Sequence, residues 1–328
     1  MRFLLSSALL LASFALHSPA DPAPAAASPA PAAAAVAPAP TPGGFPVIND
    51  YEIEHKFTKG LSELVEKNTP LHGLEAIRKA IKEATGHTAR VPVVTPPAGG
   101  PPACEKGVFI VGTIYKCKDC DEWHTGGMAS GWAVSADGLI VTNHHVVNLE
   151  QEEENAYLGV MDRAGHVLPV KEVVADNKDT DIAVIRVEAK DCLLHPLPLA
   201  PAAPASGTPV SVISHPDGRY YCLSKGHVTR HHLQPADDND IEKAMEGKEV
   251  PMVTWMSISA DFGVGSSGAP VLDDQGRVVG MVSLTCTVIA TENEDEDENP
   301  PATGVQMVFK DCVPVPALRA MIQEEKPK

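Results

Sequence analysis

Residues 265–281 read GSSGAPVLDDQGRVVGM. The Gly-x-Ser-Gly-x-Pro turn at their start is a tight one, and it puts Ser267 where an acyl-transfer nucleophile has to stand. Gly265 lets backbone approach closely, so that its N–H and that of Ser267 can converge where a tetrahedral oxyanion would sit. Glycine-rich turns are common, and a serine hydroxyl is a poor nucleophile at neutral pH. The reading therefore depends on whether the chain also supplies a base and a group to orient it.

Both occur upstream. From Ser130 the chain reads SGWAVSADGLIVTNHHVV. This is a hairpin pattern of apolar alternation, an Asp137-Gly138 turn and a second strand ending in two histidines. Continued strand geometry would put Val141, Asn143 and His145 on one face and Thr142 and His144 on the other, which selects His145 as the base. From Asp176 the chain reads DNKDTDIAVIRV, and Asp181 opens an apolar strand from which its carboxylate can hold an imidazole. Taken alone, each has a plain structural explanation: a polar strand end, a turn aspartate, a loop serine. The order His, Asp, Ser in one chain is what makes the catalytic reading specific, and it excludes the subtilisin and α/β-hydrolase orders.

The blocks TNHHVV, DTDIAVIRV and GSSGAP resemble the three catalytic blocks of chymotrypsin-fold, trypsin-like serine proteases, nearest to the bacterial HtrA-like branch. The resemblance spans roughly residues 105–317. It implies an all-β fold of two six-stranded antiparallel barrels and a serine endopeptidase activity on protein or peptide substrates. In it His145 is the base, Asp181 its orienter, Ser267 the nucleophile, and Gly265 and Ser267 form the oxyanion hole. No cofactor is implied. His144 stands where the family has a small residue. Ser266 replaces the acidic residue of trypsin zymogens, which argues against activation by insertion of a new N-terminus, and Ala269 adds one methyl where glycine is usual. The rival class is a catalytically silent, protease-like binding module, and an intact triad argues against it.

Strand patterns elsewhere agree with the barrels. Short β-runs with Gly-containing turns fill the chain between Val108 and Phe309. VPVPALRAMIQEE, beginning at Val313, predicts a short C-terminal helix, and with only a dozen or so residues after the barrel no PDZ domain of the HtrA kind is expected.

The N-terminal third reads differently. Arg2 followed by an apolar run to Leu16 and by Ser18-Pro19-Ala20 predicts a signal peptide over residues 1–20, hence a secreted or periplasmic protein without stable membrane insertion once it is removed. Residues 21–47 are an Ala/Pro-rich linker, extended because it can bury little. Residues 48–90 predict one or two short amphipathic helices. Their apolar positions are Leu71, Leu74, Ile77 and Ile81, and Asn68 and Thr69 are candidate caps. This segment is an appendage on the barrel or a pro-segment. Residues 91–103, VPVVTPPAGGPPA, are a second linker, and residues 104–328 are the protease-like domain.

Three features bear on specificity and ligands. Asp261 lies six positions before Ser267, where the trypsin group carries the carboxylate that selects Lys or Arg. At the base of an apolar slot it would pair with a cationic side chain; otherwise it caps a strand or faces solvent. Seven cysteines in an exported chain predict disulfides with one thiol left over. Cys117 and Cys120 form a CKDC unit followed by His124, and with Cys104 they make a candidate Cys₃His zinc set. A single CxxC in an oxidising compartment favours a short-loop disulfide, so no metal is expected. The formal net charge of −17 is concentrated in EQEEEN from Glu150 and ENEDEDEN from Glu292. Such runs read as solvated loops, with weak Ca²⁺ binding or attraction of basic substrates as the functional alternatives. No basic stripe suggests nucleic acid.

Overall fold

The alternating apolar runs fold into two closed barrels, seen in a computed structural model that describes residues 47–67, 73–148, 156–189, 194–290 and 304–325. The signal-peptide pattern, the Ala/Pro linker to residue 46, Asn68, Thr69, Leu71, Cys192 and both acidic runs lie outside the described residues. Asp50–Lys328 form one unit.

In chain order the elements are α1 (Asp50–Glu66), α2 (Leu74–Ala84), β1 (Ala89–Pro92), β2 (Val108–Lys116), β3 (Trp123–Ala133), β4 (Leu139–Thr142), α3 (His144–Val147), β5 (Ala156–Met161), β6 (Val167–Asn177) and β7 (Ile182–Val187). They continue with β8 (Pro209–Ser214), β9 (Cys222–Pro235), α4 (Ile241–Met245), β10 (Met252–Ile258), β11 (Pro270–Leu272), β12 (Val278–Ala290), β13 (Gly304–Pro314), α5 (Val315–Met321) and β14 (Ile322–Glu325). The first barrel closes in the order β2-β3-β4-β7-β6-β5 and the second as β10-β13-β12-β11-β8-β9. All pairings within them are antiparallel. This is the double six-stranded barrel that the sequence predicted.

Period-two alternation fills each barrel. Phe109 and Val111 from β2 meet Ile140, Leu158, Val160 and Ile185 in the first core. Val210, Val212, Met256, Ile258, Val271 and Val282 make the second. Ala269 is fully buried in that second core, so the methyl that departs from the family pattern is an ordinary packing group. β2 is apolar on both faces for a separate reason: α1 covers its outer side. Phe57 and Leu61, one helical turn apart, are both fully buried, and the backbone of Gly112 and Gly159 leaves room for them.

The helical segment is more extensive than predicted. α1 runs for 17 residues from Asp50, where the sequence suggested short helices. α2 begins after Gly73 without a side-chain cap, and its Leu74, Ile77, Ile81 and Ala84 join the first core. The predicted 91–103 linker also carries structure at its start. β1 pairs in parallel with β14, Ala89 opposite Ile322, a long-range contact that local pattern could not reveal. The predicted C-terminal helix is α5, which packs on β12 and β13.

Candidate active site

Thr142 closes β4, and at Asn143 the chain enters α3. Both histidines therefore lie on a single helical turn, and the strand-parity argument for His145 fails. Helical geometry makes the selection in its place, because successive residues point about 100° apart. His144 turns inward, with Nδ1 2.8 Å from Asp176 Oδ1 and Nε2 3.2 Å from Asn148 Nδ2. His145 turns outward, its side chain 45% exposed. Its Nδ1 lies 2.8 Å from Asp181 Oδ2 and 3.0 Å from Oδ1, and its backbone N–H donates to the same Oδ1 at 3.1 Å.

Asp181 is aimed by its backbone. It sits immediately before β7 with φ +54°, a left-handed conformation that costs a non-glycine residue on the order of 1–3 kcal/mol. Hydrogen bonds hold it there: its N–H donates to the Lys178 carbonyl at 3.1 Å, and Asn143 Nδ2 donates to its carbonyl at 2.9 Å. The residue that opens α3 thus also fixes the carboxylate that grips the helix.

Desolvation acts against a charged imidazole at His145, but the charge and hydrogen bond of Asp181 outweigh it and hold the pKa above the ordinary histidine value. A third histidine nearby is different. His215 is fully buried, its Nδ1 accepts the Tyr221 N–H at 3.0 Å, and burial pushes its pKa down to about 3. It remains neutral and closed to solvent, whereas the His145 ring opens to solvent.

The turn around Ser267 lies between the barrels. Gly265 and Gly268 have φ +88° and +84°, and a Cβ at Gly265 would strike the His215 carbonyl, so glycine is required there. Ser130 on β3 fastens the turn from the first barrel: its N–H donates to the Ser267 carbonyl at 2.8 Å, and its hydroxyl donates to the Gly265 carbonyl at 3.0 Å. Among the described residues, neither the Gly265 nor the Ser267 N–H donates to a backbone carbonyl. Ser266 is buried and its hydroxyl donates to Ser214 Oγ at 3.0 Å, a packing role that keeps it apart from a substrate.

Ser283 joins the two halves. The β12–β13 register shifts between Val282 and Leu284, so Ser283 stands at a bulge, a device that re-aims a side chain at a sheet edge. Its hydroxyl donates to Asp181 Oδ2, and its carbonyl accepts a long 3.5 Å contact from the Ser267 hydroxyl. Neither Ser130 nor Ser283 was identified from the sequence. The one signal for Ser283 is a hydroxyl interrupting the apolar run VVGMV that begins at Val278.

Three expectations need correction. The Asp261 side chain is 89% exposed and ion-paired with Lys310 Nζ at 2.9 Å. It does not lie at the base of an apolar slot, because the chain from Ala260 to Gly263 carries it to the barrel surface. The zinc set loses a member: Cys104 is buried with its Sγ 3.5 Å from the Gly276 carbonyl, and burial, followed by the Asp273 charge, pushes its thiol up to about 11. The ligand atoms of Cys117, Cys120 and His124 do come together, within 4.8 Å of one another. No disulfide joins the described cysteines; Cys104, Cys117, Cys120, Cys222, Cys286 and Cys312 are all free thiols.

Comparison with known proteins agrees with this architecture. Residues 129–281 match the trypsin-like peptidase domain family. A probable periplasmic serine endoprotease, DegP-like, of Hahella chejuensis is 32% identical over 54% of this chain and 33% of its own length. Protease Do-like 1, chloroplastic, of Arabidopsis thaliana is 28% identical over 47% of this chain and 32% of its own. The chain thus spans about a third of the length of these relatives. Over residues 129–281 it is similar to the trypsin-like peptidase domain, and over about half of its length it is similar to the DegP-like serine proteases.

Proposed function

We propose that this chain is an exported serine endopeptidase that hydrolyses protein or peptide substrates through an acyl-enzyme. Ser267 Oγ attacks the scissile carbonyl while His145 Nε2 takes its proton. Asp181 holds the opposite ring nitrogen as a donor and stabilises the imidazolium that forms. The N–H groups of Gly265 and Ser267 bind the oxyanion, and His145 then returns the proton to the leaving amine. Water repeats the sequence on the acyl-enzyme. None of these steps calls for a metal or cofactor. The observation that supports the reading is that Asp181 grips His145 and accepts from the Ser283 hydroxyl, while the Ser267 hydroxyl makes a long contact with the Ser283 carbonyl. Export rests on the pattern of residues 1–20, and among the described residues no helix is long and apolar enough to cross a membrane.

A fluorophosphonate tests the nucleophile. It should label the protein at Ser267 alone, and Ser267→Ala should lose both labelling and peptide hydrolysis with its circular dichroism unchanged. Labelling that persists in Ser267→Ala would overturn the assignment.

Specificity follows from the placement of Asp261. A carboxylate already paired with Lys310 and open to water offers little to a substrate cation, since exposed ion pairs contribute little. Asp261→Ser should therefore leave the profile of cleavage sites in a denatured protein mixture unchanged. A wild-type preference for Lys or Arg that disappears in Asp261→Ser would restore the basic-pocket reading.

A further inference from the structure

The tip of the β2–β3 hairpin holds a group of side chains that the proposed chemistry does not use. β2 ends at Lys116 and β3 begins at Trp123, with Tyr115 opposite His124 in the register. The six-residue connection CKDCDE closes on itself through a 2.9 Å hydrogen bond from the Cys117 N–H to the Glu122 carbonyl. Asp121 turns the chain with φ +55° and pairs with Lys116 Nζ at 3.4 Å. That turn brings Cys120 back over the strand, where its Sγ lies 3.0 Å from His124 Nε2. The His124 ring is stacked on Tyr115 at 5.7 Å, which fixes its plane.

We propose that Cys117, Cys120 and His124 bind a zinc ion at this hairpin tip, with the fourth tetrahedral position open to solvent. Two observations carry this. The donor set is two thiols and an imidazole, the ligands zinc prefers. Their ligand atoms all lie within 4.8 Å of one another. Bond lengths of about 2.3 Å to sulfur and 2.0 Å to nitrogen separate tetrahedral ligands by roughly 3.5–3.8 Å, so side-chain rotations suffice to close the site.

On binding, each thiol releases its proton to solvent, so two thiolates balance the charge of one Zn²⁺. His124 coordinates through Nε2 as the neutral imidazole. The ion would fasten a loop that already leans on α1, where Trp123 Nε1 donates to Glu66 at 3.1 Å and Thr58 meets Thr125 at 2.8 Å.

The test uses the full chain without a tag, reduced and freed of metal, then titrated with Co²⁺. One equivalent should produce the d–d bands of tetrahedral cobalt and thiolate-to-cobalt charge transfer, and one equivalent of Zn²⁺ should bleach both. The double variant Cys117→Ser/Cys120→Ser should lose the bands entirely, His124→Ala should need more Co²⁺ for half-saturation, and Cys222→Ser and Cys286→Ser should match wild type. Zinc should raise the Tm of wild type and leave that of the double variant unchanged. Fluorophosphonate labelling equal to wild type in the double variant would show that it is folded. The proposal fails if wild type gives no bands, or if they survive the double variant. It also fails if peptide mass mapping finds a Cys117–Cys120 disulfide formed in air despite equimolar zinc.

Discussion

His145→Ala should lower kcat by about 10⁴-fold or more, the scale on which removing one triad member acts, while leaving Tm close to wild type. The ring is half exposed, so its loss opens no core cavity. His144→Ala should behave in the opposite way. Asp176 is 1% exposed and its Oδ1 lies 2.8 Å from His144 Nδ1. Deleting the ring leaves a buried carboxylate without that partner, a cost on the order of 3 kcal/mol in stability. At a temperature where the variant is still folded, its kcat should remain within a few-fold of wild type. Denaturation curves and kcat on one peptide substrate separate the two residues. A stable but inactive His144→Ala would reverse their roles.

The same geometry fixes the direction of the pH profile. A base works only when neutral, and Asp181 holds His145 above the ordinary histidine value. kcat/KM should therefore rise with pH through a midpoint above about 6.5. Asp181→Asn removes the charge that favours the imidazolium and leaves desolvation to act against it, so the residual activity should titrate at lower pH. A midpoint that did not move would mean that the group being titrated is not His145.

The barrels follow from the sequence, whereas the strand argument for choosing His145 over His144 does not hold. The barrels were legible because period-two alternation is a local property, and Val210, Val212, Met256 and Ile258 report it within a few residues of each other. His145 was selected on the assumption that β4 continues through it. The strand stops at Thr142 because Asn143 starts a helical turn, and a boundary of one or two residues is what local pattern resolves least well. His145 faces Asp181 all the same, for a helical reason. Ser130 and Ser283 were invisible because their partners are remote: Gly265 and Ser267 for one, Asp181 for the other. The β1–β14 pairing was hidden in the same way. Asp261 shows the reverse failure, since a position counted from the nucleophile says nothing about which way the loop turns.

Gly268→Ala should reduce peptide hydrolysis by about 10²-fold or more while both barrels remain folded. Gly268 has φ +84°, where an L-residue carries roughly 1–2 kcal/mol of strain. The larger effect is steric. A Cβ there would overlap the Ser130 carbonyl oxygen and the Thr142 hydroxyl, and those two atoms are themselves joined by a 2.8 Å hydrogen bond. Neither can yield alone, because Thr142 ends the strand that leads into α3 and Ser130 holds the Ser267 carbonyl. The turn must move away from β3 as a body, carrying Ser267 with it. A displacement of about 1 Å at a reacting atom costs about 10²-fold. Gly127→Ala on β3 is the control, since a Cβ there meets nothing within 4 Å, and it should retain wild-type activity. If Gly268→Ala were as active as Gly127→Ala, the nucleophile turn would not depend on its seat against Ser130, and the register between the two barrels would have to be set elsewhere.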